Sequence, residues 1–237
     1  MSSQRLIAVQ EDVVVPSLSV EYEDAIKLLI RSVDKTQVRW SAAKHNQSYF
    51  YAFPIESLDA LDSKPGQPQR SFHGIMKGQA ISSTRLSVFE RFDAHSYMPA
   101  SSRVAQPRFA FVDVHRVRVD QHDVYHSLVP RLVEAIGKTE YPFGWTAFRT
   151  VIGEGSSFYG PSRTYTYVLL FDDLYEFYVA HPFRAVLEKA LGAEGAKEYS
   201  LTEKRCLQGF ENFTCTVRAD LSYPMTVRKN KSRRGQA

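Results

Sequence analysis

The chain contains 237 residues, of which 43% are hydrophobic and 24% charged, a balance typical of a folded globular protein rather than a disordered one. The formal net charge of +4 would by itself favour a polyanionic partner such as nucleic acid. Five cations, however, fall within residues 227–237, which contain no acidic residue, so the rest of the chain carries a charge of −1. The basic character therefore belongs to a C-terminal tail that is predicted to be disordered, and no nucleic-acid partner is expected except through that tail.

No stretch approaches the roughly 18 consecutive apolar residues of a membrane span, and the N-terminal segment becomes acidic too early for a signal peptide. We therefore expect a cytoplasmic protein with no membrane partner. The two cysteines, Cys206 and Cys215, form no disulfide framework and no metal-binding pattern, and neither is a candidate nucleophile. Cys215 lies in a β-rich run, where a buried and inert thiol is expected.

Two stretches of the chain repeat one order of motifs. A helix-like segment from Tyr22 leads to Trp40, and a similar segment from Tyr125 leads to Trp145. An aromatic run then follows each tryptophan. The matches predict a duplicated unit of roughly 100 residues, a common domain size. We expect a first unit over 6–103, a second unit over 109–224 and the basic tail over 225–237.

The elements are clearest in the second unit. Alternating residues at 109–119 predict a strand, and apolar residues at helical spacing from Val124 to Ile136 predict a helix that stops at Gly137. The remaining predictions, in chain order, are strands at 145–152 and 163–171 joined by a flexible connection at 153–162, a helix from 172 to about 191, and a strand at 213–220.

This order is βαββαβ, the ferredoxin-like arrangement, in which a four-stranded antiparallel sheet carries both helices on one face. The first unit follows the same order with an incomplete second helix, because two prolines and a glycine fall within 63–70. Residues 104–108 are the predicted linker. We predict an α+β fold of two tandem ferredoxin-like repeats, whose uncovered sheet faces form a barrel within one chain or pair with a second chain in a homodimer or larger homo-oligomer.

Residues 171–187 contain the pattern Tyr-x-x-His-Pro, formed by Tyr178, His181 and Pro182. This segment resembles the Dabb family, the stress-responsive dimeric α/β-barrel proteins, and the resemblance covers residues 109–223. It implies a dimeric-α/β-barrel-like architecture with a cavity between sheet and helices, and small hydrophobic or aromatic ligands. The broader superfamily includes cofactor-free monooxygenases and haem proteins of the chlorite-dismutase type, so the resemblance does not imply one reaction.

Polyketide cyclases of the family, similar to olivetolic acid cyclase, place a tyrosine and a second histidine in the cavity. Tyr178 matches that tyrosine, but Arg184 stands at the position of the second histidine and becomes a candidate ligand contact. On a helix Tyr178 and His181 share a face, which makes His181 a candidate general base and Tyr178 a candidate oxyanion donor. Alternatively, Tyr178 is an amphipathic core residue and His181 borders a helix kinked by Pro182.

A second candidate surface pairs an aromatic residue with a cation in each unit. The period of two on a strand puts Trp40 with Lys44, and Trp145 with Arg149, on equivalent faces. Such faces suit a planar or anionic ligand through stacking and charge pairing. Alternatively, the tryptophans belong to the core and the cations lie at hydrated strand ends. The ligand-binding candidates are Trp40, Lys44, Tyr49, Trp145, Arg149, Tyr167 and Arg184.

Metal and haem sites are not expected. His122 and His126 stand four residues apart on a helix and could share a metal, but no third ligand lies at a matching spacing, and an exposed helix start is the favoured interpretation. A haem held by His181, with Arg149 or Arg163 opposite it, would follow the haem branch of the superfamily, but no diagnostic haem segment is present. The predicted cofactor is none.

The sequence therefore predicts a protein that binds a small hydrophobic or aromatic molecule in a barrel cavity. Proton-transfer chemistry of the cyclase or cofactor-free monooxygenase kind would make it an enzyme, and whether it is one stays open. One alternative is a tandem RNA-recognition-like protein, because residues 163–168 loosely match the aromatic third strand of that fold. Another alternative is a non-catalytic assembly or stress protein whose sheet faces serve only for pairing.

Overall fold

The computed structural model describes residues 6–32, 39–61, 80–99, 104, 106–153 and 163–223. Eight strands occur in this part of the chain: β1 (Leu6–Val14), β2 (Ser41–His45), β3 (Ser48–Ile55), β4 (Ile81–Arg91), β5 (Phe109–Val117), β6 (Trp145–Ile152), β7 (Thr164–Phe171) and β8 (Leu207–Val217). The α-helices are α1 (Ser19–Ser32), α2 (His122–Gly137) and α3 (Phe183–Cys206), and a π-helix (Glu176–Ala180) precedes α3.

The eight strands form one closed antiparallel barrel in the order β1-β3-β2-β8-β5-β7-β6-β4. Strands β1 to β4 and strands β5 to β8 each form a contiguous half, and the two halves follow equivalent internal orders, β4-β1-β3-β2 and β8-β5-β7-β6. The halves join where β2 pairs with β8 and where β4 pairs with β6. The barrel therefore closes within a single chain and needs no second chain to complete it.

The apolar core is divided into two clusters, one in each half. Helix α1 packs Tyr22 and Ile26 into the first cluster, whereas α2 packs Tyr125 and Ile136 into the second. All four side chains are buried, because each helix turns one apolar stripe toward the strands. Helices therefore cover the barrel wall in both halves.

The first three strands of the second half, β5, β6 and β7, lie where the sequence predicts them, but its last helix and last strand do not. The predicted helix from 172 to about 191 is instead a π-helix that ends at Ala180, followed by α3 over Phe183–Cys206. Pro182 has no N–H to continue the first helix, and Gly192 adopts φ 74°, which lets α3 bend and continue rather than stop. As a result β8 begins at residue 207 rather than at 213.

Several predicted segments lie outside the described residues: the helix break at 63–70, residues 154–162 of the flexible connection, and the basic tail. Cys206 and Cys215 are unpaired and buried, and burial raises the pKa of the Cys215 thiol to about 12, as expected for an inert thiol. Across the described ranges, no helix is both long enough and apolar enough to cross a bilayer.

An ion pair fastens the last strand to the first helix. Arg218, just after β8, donates through Nη1 and Nη2 to both carboxylate oxygens of Glu23 in α1, at 2.6 and 2.7 Å. The hydrogen bonds from Arg218, with weaker help from Tyr49 and Lys44, hold the pKa of Glu23 well below its usual range despite partial burial. Glu23 therefore stabilises the folded chain most when it is ionised.

Replacing Arg218 by Ala is expected to lower the free energy of unfolding by about 2–4 kcal/mol at pH 7, because Glu23 loses its bidentate partner in a largely buried position. Since folding lowers the pKa of Glu23, this stabilisation is complete above its unfolded pKa of about 4.3 and fades as the pH falls further. Urea denaturation at pH 7 and at about pH 3 measures both effects. Lys138→Ala, which breaks the exposed pair with Glu134, is the control, and an equal loss in both variants would contradict the prediction.

Candidate functional site

A cavity of about 310 Å³ lies between the wall formed by β5, β6 and β7 and the helices α2 and α3. It is therefore outside the barrel, under the helices of the second half, and its volume falls at the small end of the range for ligand pockets. Most of its lining is apolar and aromatic, including Phe111, Val129, Leu132, Trp145, Leu169 and Phe177.

The strands direct polar side chains into one end of this cavity. The period of two along β5 places Phe111, Asp113 and His115 on the face that looks toward the helices. In the antiparallel register Asp113 lies directly opposite Tyr167 of β7. Tyr125 comes from α2 on the opposite side, so three elements converge on the same point.

Hydrogen bonds join these residues into a chain. His115 Nε2 lies 3.0 Å from Asp113 Oδ2, and His115 Nδ1 lies 2.7 Å from the hydroxyl of Tyr125. That hydroxyl lies 2.7 Å from the hydroxyl of Tyr167. Both ring nitrogens of His115 are therefore engaged, one by a carboxylate and the other by a phenol. This arrangement fixes the ring and allows a proton to move along the chain.

Burial and charge shift the pKa values at this polar end. Burial alone would lower the pKa of His115, but the hydrogen bond and charge of Asp113, together with the charge of Glu203, raise it above its ordinary value. Burial raises the pKa of the Glu203 carboxyl, and Tyr199 donates a hydrogen bond to its Oε1 at 3.1 Å. The site thus combines a basic imidazole with a carboxyl that keeps its proton to higher pH.

The opposite end of the cavity reaches the surface. Tyr178 of the π-helix and Phe183 at the start of α3 both line the cavity and are both partly exposed. The Tyr178 hydroxyl lies 2.6 Å from Thr214 Oγ1, which ties the π-helix to β8. A ligand can therefore enter past an aromatic rim and meet the ionisable groups at the inner end.

The residues predicted from the Dabb-like segment do not meet in one place. Tyr178 lines the cavity, but His181 follows the end of the π-helix with φ −130° and pairs with Glu176 at 3.5 Å. The expected shared helical face is therefore absent, because the backbone leaves helical geometry at His181. The Arg184 side chain is 90% exposed and pairs with Glu188, so it points away from the cavity.

The two predicted pairs of a tryptophan with a cation do not form ligand-binding faces. Trp145 and Tyr167 line the cavity, whereas the Arg149 guanidinium pairs with Glu90 of β4. In the first half, Trp40 donates from Nε1 to the Leu221 carbonyl and stacks on a tyrosine. Lys44 and Tyr49 instead both donate hydrogen bonds to the Glu23 carboxylate, away from this cavity. Trp40, Lys44 and Tyr49 therefore pack in the core or hold elements together and do not line this cavity.

His122 and His126 do share a helical face, but that face is not exposed. The Nε2 atoms of both rings lie within hydrogen-bond distance of the Tyr165 hydroxyl, at 3.0 and 2.7 Å. The start of α2 is therefore exposed at Asp123 and Val124, as expected, whereas the two histidine rings are half-buried against β7. In the described part of the chain, no three His, Cys, Asp or Glu side chains are arranged to hold a metal ion.

The residues present do not fit a haem. His115 is the one imidazole among the described lining residues, and both of its ring nitrogens are already hydrogen-bonded. His181 lies outside the lining. The RNA-binding alternative also loses its basis, because Tyr165 and Tyr167, the aromatic residues it requires on an open sheet face, are buried.

The sequence interpretation missed Asp113, His115, Tyr125, Tyr199 and Glu203. A signal for the first two was present: an acidic residue and a histidine stand two apart on a strand face that is otherwise apolar. Polar residues on the buried face of a strand require partners, and they mark a site when those partners are ionisable. Tyr199 and Glu203 carry no comparable local signal.

Compared by sequence, the chain matches no protein-family model and no curated protein. Compared by structure, it is similar to an anthrone oxidase-like protein, with a TM-score of 0.60 and 11% identity over 94% of this chain and 95% of that one. A protein from Fusobacterium nucleatum subsp. nucleatum ATCC 25586, named "Putative monooxygenase", gives a TM-score of 0.59 and 12% identity over 92% and 94%. A mutant chlorite dismutase from Candidatus Nitrospira defluvii gives 0.54 and 9% over 92% and 94%.

At such low identity these likenesses establish the fold alone. The closed eight-stranded barrel and these likenesses show an α+β fold that fits a dimeric α/β-barrel-like architecture, with the barrel closed by one polypeptide. The narrower resemblance to the Dabb family stays a prediction.

Proposed function

We propose that this protein binds a small aromatic molecule in the cavity under α2 and α3 and catalyses a proton transfer on it. The observation that carries the proposal is the cavity, which is apolar along most of its wall and ends in hydrogen-bonded ionisable groups. Neighbours named as a monooxygenase and as anthrone oxidase-like support a small substrate. A Dabb-like arrangement of two ferredoxin-like units, 6–103 and 109–224, is part of the proposal.

His115 is the proposed base. Asp113 accepts the proton on His115 Nε2, which leaves Nδ1 to accept from the Tyr125 hydroxyl. The acidic proton of the ligand passes to the Tyr125 oxygen while the Tyr125 proton passes to His115 Nδ1. The ligand becomes an anion, Tyr125 keeps one proton and His115 becomes an imidazolium paired with Asp113. The charge balance at the inner end is thereby preserved.

Glu203 is the proposed stabiliser of the ligand's negative charge. Burial raises the pKa of the Glu203 carboxyl, and in its protonated form this carboxyl donates a hydrogen bond to an oxyanion. The hydrogen bond from Tyr199 holds one carboxyl oxygen in place and leaves the other for the ligand. A suitable substrate is therefore an aromatic ketone or phenol whose oxygen becomes more negative when its proton leaves. Under this proposal Tyr178 contacts the ligand at the rim.

Anthrone is a practical probe, because it combines an aromatic carbonyl with an acidic methylene group. In D2O we expect the protein to accelerate deuterium exchange at this methylene by about 100-fold or more over buffer, a typical gain from a positioned base. Dissolved oxygen, followed in parallel, separates an oxygenase from an enzyme that only moves protons. Bound anthrone that exchanges no faster than free anthrone would overturn the proposal.

Filling the cavity with a larger side chain is expected to weaken ligand binding strongly. Val129 lines the cavity from α2, so Val129→Phe places a ring in the space that the ligand needs. We expect the affinity for anthrone or 1-naphthol, measured by calorimetric titration, to fall by about 30-fold or more. Val124→Phe adds the same ring at an exposed position of the same helix and is the matched control. Equal affinities in the two variants would place the ligand elsewhere.

A further inference from the structure

A second group of polar side chains lies outside the cavity, at the start of α2. His122 and His126 share one face of this helix, and their ring centroids are 4.4 Å apart. Their Nε2 atoms lie 3.0 and 2.7 Å from the hydroxyl oxygen of Tyr165 in β7. None of the three residues belongs to the described lining of the cavity. The proposed function therefore leaves this group without a role.

The group converges on one oxygen and is reached from the surface on its histidine side. Tyr165 has one hydroxyl proton, so it donates to one Nε2 and accepts an N–H from the other. Tyr165 is fully buried, whereas the His122 side chain is 18% exposed and His126 is half-buried. Two imidazoles one helical turn apart can bind a single metal ion. The third ligand that sequence spacing does not reveal comes here from β7.

The spacing of the three ligand atoms matches a square-planar or tetragonal site. Ligand atoms about 2.0 Å from a metal lie about 2.8 Å apart at right angles, but about 3.3 Å apart in a tetrahedron. The two N···O distances, 3.0 and 2.7 Å, fall near the first value. Because hydrogen bonds have the same length, the metal-free group already holds its atoms at this spacing. Nitrogen and oxygen ligands in this geometry are typical of copper(II) or nickel(II), and copper(II) binds the more strongly.

We propose that His122, His126 and Tyr165 form a copper(II) site, with the two Nε2 atoms and the Tyr165 oxygen as ligands. On binding, both rings turn about their side-chain bonds toward the metal and carry their protons on Nδ1, while Tyr165 binds as a phenolate. The three side chains hold three protons without the metal and two with it. One proton is therefore released to solvent for each copper ion bound, and solvent supplies the remaining ligands.

The charges near Tyr165 permit a phenolate once a cation is bound. Burial raises the pKa of Tyr165 to about 12, although the positive charge of Arg149 opposes this rise. The protein alone therefore keeps the phenol protonated at neutral pH, and a metal ion is needed to displace its proton. Arg149 also pairs with Glu90 of β4, so it adds little net positive charge beside a bound ion.

The surroundings of the two histidines favour their neutral, metal-binding form. Burial and neighbouring positive charge lower the pKa of His126, so its ring readily offers a lone pair at neutral pH. The nearby ring of His95, 5.0 Å from that of His126 between centroids, is also neutral, because burial lowers its pKa to about 3. Asp123 Oδ1 lies 3.8 Å from His122 Nδ1, the nitrogen that carries the proton when Nε2 binds metal.

The test uses the full chain, with Cu²⁺ as the probe and excess glycine to keep the free ion scarce. We expect one tightly bound ion with a tetragonal electron paramagnetic resonance spectrum and a visible charge-transfer band from phenolate to copper(II). Tyr165→Phe keeps both imidazoles, so it should lose this band and bind copper about tenfold or more weakly. His45→Gln, at a half-buried position of β2, is the control and should change neither. Copper bound without the band, or a band that survives in Tyr165→Phe, would overturn the site.

Proton release gives a second measurement that adventitious copper binding would not reproduce. At about pH 8, calorimetric titrations in two buffers of different ionisation enthalpy should show one more proton released per copper ion by the wild type than by Tyr165→Phe. His126→Gln removes one nitrogen ligand and should weaken copper binding about tenfold or more. Equal proton release, or an unchanged affinity in His126→Gln, would refute the assignment. Neither measurement involves anthrone, so the result does not depend on the proposed function.

Discussion

Asp113→Asn is expected to slow proton transfer on the bound ligand by about 10² to 10⁴-fold, with KM changed by less than about threefold. The carboxylate holds His115 Nε2–H and supports positive charge on the ring once His115 takes up a proton. Asparagine fills the same space without that charge, so the site still binds the ligand but loses its base. Initial rates of anthrone exchange, measured at several substrate concentrations, separate kcat from KM.

The pH dependence gives this prediction a second readout. In the wild type the rate rises as His115 loses its proton, at a pH set by its raised pKa. Without Asp113, burial is the largest remaining influence and lowers the pKa of His115, so the rising limb moves to lower pH. Asp123→Asn, at an exposed position near the start of α2, should leave both rate and profile unchanged. A profile that keeps its position in Asp113→Asn would contradict the assignment of His115 as the base.

The second large effect is expected on stability. Phe171 ends β7, is fully buried, and stacks on Phe177 of the π-helix with ring centroids 4.3 Å apart and planes at 12°. Its ring also stacks on Phe109 at 5.5 Å. Phe171→Ala should lower the free energy of unfolding by about 3–5 kcal/mol, through lost burial and the cavity left behind. Because Phe177 lines the ligand cavity, affinity for aromatic probes should fall as well.

Urea denaturation followed by circular dichroism measures the change in unfolding free energy. Leu170→Ala, at the neighbouring position of β7, is the control, because Leu170 points to the other face and is 44% exposed. We expect it to cost about 1 kcal/mol or less. A similar loss in both variants would show that the stack between strand and π-helix contributes little.

Local sequence patterns predicted β5, β6 and β7 well. β6 occupies the predicted 145–152, because a run of aromatic and β-branched residues favours a strand without reference to distant contacts. The last helix was predicted poorly because its limits depend on tertiary structure. Pro182 ends the π-helix only because the chain turns there, and Gly192 bends α3 without ending it. The presence of a proline or glycine alone does not show whether a helix ends there or only bends.

The candidate site was predicted in part. Trp145, Tyr167 and Tyr178 were identified and do line the cavity. The ionisable end was missed, because its members are brought together only by the register of β5 with β7 and by the packing of α3. Glu203 lies some 90 positions along the chain from Asp113. Residue spacing within one helix or strand does not reveal contacts between residues so far apart in the sequence.

The closure of the barrel by one polypeptide has a consequence for how its two halves can diverge. Two identical chains around one barrel would have to carry the same groups on both sides. Here Asp12, on the first half's counterpart of β5, is fully buried and accepts hydrogen bonds from Gln10, Tyr22 and Thr84. Both carboxylate oxygens of Asp12 are therefore occupied by donors from the first half itself. A single chain can thus carry a satisfied carboxylate on one side of the barrel and a hydrogen-bonded group of ionisable residues on the other.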